Sequence, residues 1–244
     1  MRVLIACEYS GRVRDAFIAR GHSAMSCDML PTESPGPHYQ GDVRDVIGGG
    51  WDMMVSHPPC TYLASSGLHW NRKITGRAEL TEQGLEFVRL LLSAKIPRIA
   101  PENPVGCIST RIRKPDQTIQ PWMFGEDASK ATCLWLKGLR PLAPTIRHPG
   151  RYGCRCGHRF PVDLGKYGCP NCCGDSGPAK IVYANQTNSG QNKLAPSADR
   201  WKERSRTYLG VADAMADQWG DSKKIPVEIE QVHGDLFADA ETSC

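Results

Sequence analysis

Apolar and polar positions alternate in short blocks over the first hundred residues. "RVLIAC" (2–7) is apolar and rich in β-formers, and it ends at the polar turn "EYSG". "RVRDAFIARG" (12–21) has helical spacing, with Val13, Phe17 and Ile18 on one face and Gly21 as the stop. "HSAMSCD" (22–28) predicts a second strand closing on Asp28, and "WDMMVS" (51–56) another that runs into "HPPC". "TEQGLEFVRLLLSAK" (81–95) predicts a helix with Thr81 as its N-cap, although Gly84 weakens the first turn. "IPRIAPENP" (96–104) supplies a further strand and a loop.

Strands alternating with helices predict an α/β fold with a doubly wound, mostly parallel sheet. Such sheets bind ligands at the carboxyl ends of their strands. "EYSG", Asp28, Asp42, Cys60 and Glu102 all fall at or near such ends. Taken singly, each has a structural alternative. Asp28 and Asp42 suit turn caps, Cys60 suits a small buried residue, and Glu102 suits a solvated loop acid. Five polar features on one rim favour a site.

Composition narrows the class. The 244 residues suit one sizeable domain or one domain with a small insert, and 40% hydrophobic content is enough for a core. No run of 18 apolar residues occurs, so no membrane span is expected. The start, "MRVLIACEYSG", lacks the parts of a signal peptide, so a cytoplasmic protein is expected. A net charge of +4 permits a nucleic-acid partner without demanding one.

The eleven cysteines divide by spacing. Cys7, Cys27, Cys60, Cys107 and Cys133 are single, Cys154, Cys156, Cys169, Cys172 and Cys173 crowd together, and Cys244 stands apart as the last residue. In a reducing compartment a crowded set predicts metal binding before disulfides. Cys154, Cys156, Cys169 and Cys172 form two close pairs that can close a tetrahedron around structural Zn2+, with Cys173 and His158 as substitutes. Arg147, Arg151, Arg155, Arg159 and Lys166 surround this stretch and suit phosphate contact or plain solvated charge.

In order, "ACEYSG", Cys27–Asp28, "GDVRDV", "HPPCTYLASSG" and "PENPVG" resemble the motifs of the DNA (cytosine-5) methyltransferase family, particularly its short phage-type members. The likeness covers residues 1–106 and returns at "RSRTYLGVADAMADQW" (204–219), which is similar to the family's closing helix. It implies a Rossmann-like, S-adenosyl-L-methionine-dependent methyltransferase acting on DNA. Cys60 would be the nucleophile, Glu102 a protonated carboxyl acting at cytosine N3, with a raised pKa suiting that role, and Lys130 a base-contacting cation. Arg111 and Arg113 of "STRIR" are the rivals of Lys130 and Thr132 for the last role.

For the donor, the resemblance implies Tyr9, Ser10 and Gly11 beside the methionine part. It places Asp28 on the ribose, Asp42 and Val43 at the adenine, and Cys7 and Pro59 against the cofactor. The implied division is 1–146 and 183–221 as the catalytic core, 147–182 as a zinc-ribbon-like insert and 222–244 as a flexible tail. Alternatives are the same chemistry on a free deoxycytidine nucleotide or modified base, and a non-catalytic nucleic-acid-binding zinc protein. "QVHGDLF" (231–237) resembles a sliding-clamp-binding motif.

Overall fold

The computed structural model describes residues 1–186, 195, 197 and 199–221. The tail and the clamp-like stretch at 231–237 lie outside the described residues.

A seven-stranded sheet forms the centre. Its strands are β1 (Arg2–Ala6), β2 (Ser23–Asp28), β3 (His38–Gln40), β4 (Met53–Ser56), β5 (Arg98–Pro104), β6 (Gln117–Ile119) and β7 (Thr132–Leu134). They lie in the order β3-β2-β1-β4-β5-β7-β6. Five neighbours, β3 to β5, run parallel, and β7 is antiparallel to both β5 and β6. This is the expected α/β architecture, doubly wound and mostly parallel.

Among the described residues the helices are α1 (Arg12–Ala19), α2 (Ser65–Leu68), α3 (Arg77–Ser93), α4 (Ile108–Arg111), α5 (Arg200–Ser205) and α6 (Leu209–Gly220). Helices cover both faces of the sheet, which is why β1 and β4 are apolar almost without a break. Alternate residues of β1 divide between two cores. Val3 and Ile5 pack with Val13 and Phe17 of α1 (Arg12–Ala19) and with Met215 and Trp219 near the chain's end. Leu4 and Ala6 pack on the other side with Leu91 and Ile99. Burying a side chain of this size contributes about 1.5–3 kcal/mol.

Two local expectations change. Ile18 is 39% exposed and leaves the apolar face of α1, whereas Arg14 is fully buried. The Arg14 guanidinium bonds Asp15, Ser26, Thr32 and the Ser34 carbonyl, so it straps the loop after β2 onto the sheet. Four donated bonds are what make its burial affordable. The long helix starts before Thr81, running Arg77–Ser93 behind Gly76 at φ 79°. Thr81 is buried inside it and donates to the Tyr62 carbonyl at 2.9 Å.

Residues 151–182 form a second, antiparallel sheet of β8 (Arg151–Gly153), β9 (Arg159–Phe160) and β10 (Lys180–Val182), ordered β10-β8-β9. Its buried cluster is only Cys154, Phe160, Cys169 and Ala179. Among the described residues, no helix is long and apolar enough to cross a membrane.

Candidate active site

The chain order reverses between β1 and β4: strands β2 and β3 lie to one side of that seam and β5 to the other. A crevice opens at the carboxyl ends of strands at such a reversal. The turn Cys7–Ser10 leaves β1 there, and "HPPC" leaves β4 beside it. A cavity of about 370 Å³ lies between them. That is large enough for a small-molecule site, about 300–1,000 Å³. Cys60, Glu102 and Lys130 all line it. A second cavity of about 140 Å³ holds Asp28, Asp42, Val43 and Phe87. The two meet at Cys7 and Pro59, which line both.

Three connections hold Cys60 in place. Pro58 is buried, and its carbonyl accepts from Asn103 Nδ2 at 2.7 Å, tying the Pro-Pro turn to β5. The Cys60 carbonyl accepts from Leu63 and Ala64, opening a tight turn. The Leu63 carbonyl then accepts from Cys107, and Gly106 lies so close that a Cβ there would sit 2.0 Å from the Leu63 oxygen. Only glycine permits that approach. Burial pushes the Cys60 thiol up, the Glu102 charge adds to this, and Lys130 partly offsets it.

Glu102 departs from expectation. Burial alone would raise its carboxyl, but the His57 hydrogen bond, Lys130 and Thr132 outweigh it and hold the carboxyl below the ordinary range. His57 Nδ1 lies 2.9 Å from Glu102 Oε2. A raised carboxyl, expected from burial, is therefore absent because charged neighbours win over desolvation. Lys130 reaches the cavity because β7 pairs with β5, placing Thr132 opposite Pro104. Its Nζ donates to the Arg204 carbonyl at 3.1 Å. The rivals lie elsewhere: Arg111 pairs with Glu82, and Arg113 with Asp116.

Of the residues expected beside a donor, Tyr9 and Ser10 line the larger cavity. Gly11 lines neither cavity. Its φ of 75° starts α1, and a Cβ there would meet Arg14 Nη2 at 2.5 Å, so it makes room for the buried guanidinium. Glu8 takes the capping role that Gly11 cannot, accepting from the Val13 and Arg14 amides at 2.7 and 3.2 Å. A carboxylate at a helix start also meets the positive end of the dipole. Cys7 is left-handed at φ 59°, a strained conformation for a residue with a Cβ. Burial pushes the Asp28 carboxyl up, and its Oδ1 accepts from the Leu30 amide at 2.9 Å. Asp42 caps the short turn Val43–Asp45 through the Arg44 amide. Both aspartates thus cap turns while also lining the smaller cavity.

Sequence patterns missed two contributors. One is His57, whose signal was its place directly before Pro-Pro-Cys. The other is the helix α5 (Arg200–Ser205), which brings Trp201 and Arg204 over the larger cavity. Tyr9 anchors α5 by donating to the Lys202 carbonyl at 2.7 Å, and Arg206 just beyond it forks onto Glu33.

Apart from this site, the sulfurs of Cys154, Cys156, Cys169 and Cys172 all lie within 4.8 Å of one another. Cys154–Cys172 is 3.5 Å and Cys156–Cys169 is 3.6 Å. A zinc tetrahedron with bonds of about 2.3 Å spaces its sulfurs about 3.8 Å apart, so the four fit a metal ion. Cys173 and His158 stand outside the group. Of the surrounding cations, Arg151 pairs with Asp127, Arg147 lies over Trp122, and Lys166 over Tyr167.

The chain matches no family model and no curated protein. Among solved structures it is similar to a prophage-encoded E. coli protein assigned as a DNA modification methyltransferase. That match has 14% identity, 62% of this chain, 52% of that chain and a TM-score of 0.41. It is similar to the Entamoeba histolytica methyltransferase EhMeth, at 13% identity, covering 67% of this chain and 64% of that one, TM-score 0.42. The S. pombe Dnmt2 methyltransferase gives 14%, 58%, 50% and 0.37. The chain thus spans between half and two thirds of the length of these structures.

Proposed function

We propose that the protein methylates carbon 5 of cytosine in DNA. The observation that carries this reading is convergence. Cys60, Glu102 and Lys130 line one cavity, and it adjoins, across Cys7 and Pro59, a second cavity holding Asp28, Asp42 and Val43. A nucleophile, an acid and a cation on one side suit a polar ring. Two carboxylates with apolar Val43 and Phe87 on the other suit a nucleoside.

The smaller cavity suits the nucleoside part of S-adenosylmethionine, with the rest of the donor reaching past Cys7 and Pro59 into the larger one: Asp28 would accept from the ribose hydroxyls, and Val43 with Asp42 would flank the adenine. Tyr9 and Ser10 would border the methionine part. When bound, this cofactor supplies the methyl group. The chain's own work is at the cytosine. Cys60 sulfur bonds to ring carbon 6, and the displaced ring electrons make carbon 5 nucleophilic. Glu102 passes a proton to ring N3, accepting the charge that the addition places on the ring. Lys130 sits beside both groups and favours their anionic forms. After transfer the carbon 5 proton leaves to water, the C6–S bond breaks, and the thiolate returns. A base reaches Cys60 inside its cavity only when it is out of the stack, so the nucleotide must be extruded or single-stranded.

Residues 147–182 form, in this reading, a zinc-held insert, and 1–146 with 183–221 form the catalytic core. The basic residues of the insert would meet DNA phosphates.

The test is direct. The protein is incubated with labelled donor and duplex DNA, single strands or deoxycytidine nucleotides, and the modified nucleoside is identified. The expected product is 5-methylcytosine in DNA. Product on free nucleotides alone would change the substrate, and label on an exocyclic amine would sink the C5 chemistry.

A further inference from the structure

The proposed reaction asks for a protonated Glu102, whereas its neighbours hold that carboxyl below the ordinary range. We propose that His57 is a positioning residue that grips one oxygen of Glu102 and stores at Nδ1 the proton that Glu102 delivers to the base. The inference rests on the C5-methylation reading and adds to it the source of the proton.

The geometry begins in the sheet. Parallel β4 and β5 set Ser56 opposite Pro101. The next residue of each chain, His57 and Glu102, therefore lie side by side. Their side chains are only 10% and 13% exposed, and Nδ1 and Oε2 are 2.9 Å apart. The other ring nitrogen, Nε2, is buried and has no hydrogen-bond partner among the described residues. A buried polar atom left without a partner is costly, and His57 lines the same cavity as Cys60 and Glu102, so its ring is placed for chemistry as well as for pairing with Glu102.

The charges around the ring favour a stored proton. Burial opposes a charged imidazole, as does Lys130 from the β7 side. Glu102 on β5 and Glu8 after β1 outweigh them, so His57 holds its proton above the usual value of 6.5. Asp28 at the end of β2 also feels the His57 charge. In this arrangement the shared proton favours His57, and Glu102 is its carboxylate partner.

Entry of a pyrimidine ring expels water, and desolvation disfavours charged forms. The proton then crosses a distance already at hydrogen-bond length. The Nδ1–H bond breaks as Oε2–H forms, giving neutral imidazole and carboxylic acid. Oε2–H breaks in turn as N3–H forms, while the Cys60 sulfur gives its electron pair to carbon 6. When the C6–S bond breaks, the N3 proton returns by the same route. No outside acid is consumed.

Two experiments test this on the full-length protein. In the first, NMR follows the His57 ring through a pH titration. Wild-type His57 should titrate above 6.5, and in Glu102→Gln it should fall below it, because burial then acts with less opposition. An unmoved titration in Glu102→Gln would overturn the stored proton, whether or not the protein methylates anything. In the second, methyl transfer is measured against pH. His57→Asn keeps an N–H near Nδ1 but stores no proton. It should stay within about threefold of wild type at pH 6 and lose about tenfold or more at pH 8, the scale of a general-acid contribution. Donor KM should not change. His57→Phe should lose activity at both pH values. A His57→Asn profile parallel to wild type at every pH would make the role merely structural and sink the proposal. A wild-type protein that yields no methylcytosine would instead refute the parent reading, leaving the titration as the test of the pair.

Discussion

The rim of the large sheet and the cysteine-bearing small sheet are organised by opposite means. At the rim, Cys7, Asp28, Cys60 and Glu102 sit on or just beyond strands whose residues are buried in two apolar cores. Its polar groups are placed by hydrophobic packing and then fixed by a few bonds, such as Asn103 to the Pro58 carbonyl. The small sheet has three strands of two or three residues and a buried cluster of four side chains. Two of those four are cysteines of the sulfur group. A segment with so little apolar area to bury needs a covalent or metal staple. The difference teaches where substitutions will spread: at the rim they change chemistry and leave the fold, whereas in the small sheet they change the fold and leave the chemistry.

The strongest way to break that contrast is Cys169→Ser with Cys172→Ser. If zinc holds the small sheet, purified protein carries about one equivalent of metal, and the double variant forfeits binding energy on the order of 10 kcal/mol. Hydrogen exchange over 151–182 should accelerate to that of an open chain while donor binding survives. Protection that persists without metal would show that the sheet folds unaided.

Next comes the proposed nucleophile. Cys60→Ser should lose methyl transfer by at least about a thousandfold, in line with other nucleophile removals. Melting temperature and donor affinity should be unchanged. DNA carrying 5-fluorocytosine should trap the wild type covalently and not the variant, since fluorine does not leave as a proton does. A serine variant with ordinary turnover would remove Cys60 from the chemistry.

A smaller effect is expected at Asp28. Asp28→Ala removes a charged hydrogen-bond acceptor from the smaller cavity and should weaken donor binding by about 1.5–3 kcal/mol. Calorimetry showing equal affinity would return Asp28 to turn capping, through the Leu30 amide, as its sole task.

The smallest effect concerns α5. Its link to the loop after β2 is the Arg206–Glu33 pair, which is partly exposed and worth about 0.2–1 kcal/mol. The Arg206 hydrogen bond holds the Glu33 carboxyl below its ordinary value of 4.5. A lowered carboxyl contributes stability above the unfolded value and loses it as pH falls through the folded one. Trp201 fluorescence should therefore change on acidification below about 4.5, and Glu33→Gln should abolish that step. A transition at the same pH in both proteins would assign it to other carboxylates.

Periodicity and motif order made much of this legible in advance. The four long strands of the first hundred residues and α1 could be read because each buries a continuous or period-matched apolar face. The cysteine pairs could be read because short-range ligand spacing is a property of the chain itself. Edge strands β3 and β6 could not, because "HYQ" and "QTI" are three residues long and carry no apolar run. Nor could the start of the long helix, where Gly76 replaces the expected Thr81 cap.

The sequence by itself determined which elements form and in what order their polar ends follow one another, because local hydrophobic period and turn chemistry act over a few residues. Only the tertiary structure decided which of those ends meet. Parallel register set His57 against Glu102 across 45 positions of chain. The antiparallel return of β7 brought Lys130 to the same cavity, and with His57 it reversed the expected pKa direction of Glu102. Gly11 passed from a cofactor-side position to a space for buried Arg14. Such outcomes depend on fields and contacts between residues far apart in sequence, and these exist only once the sheet has closed.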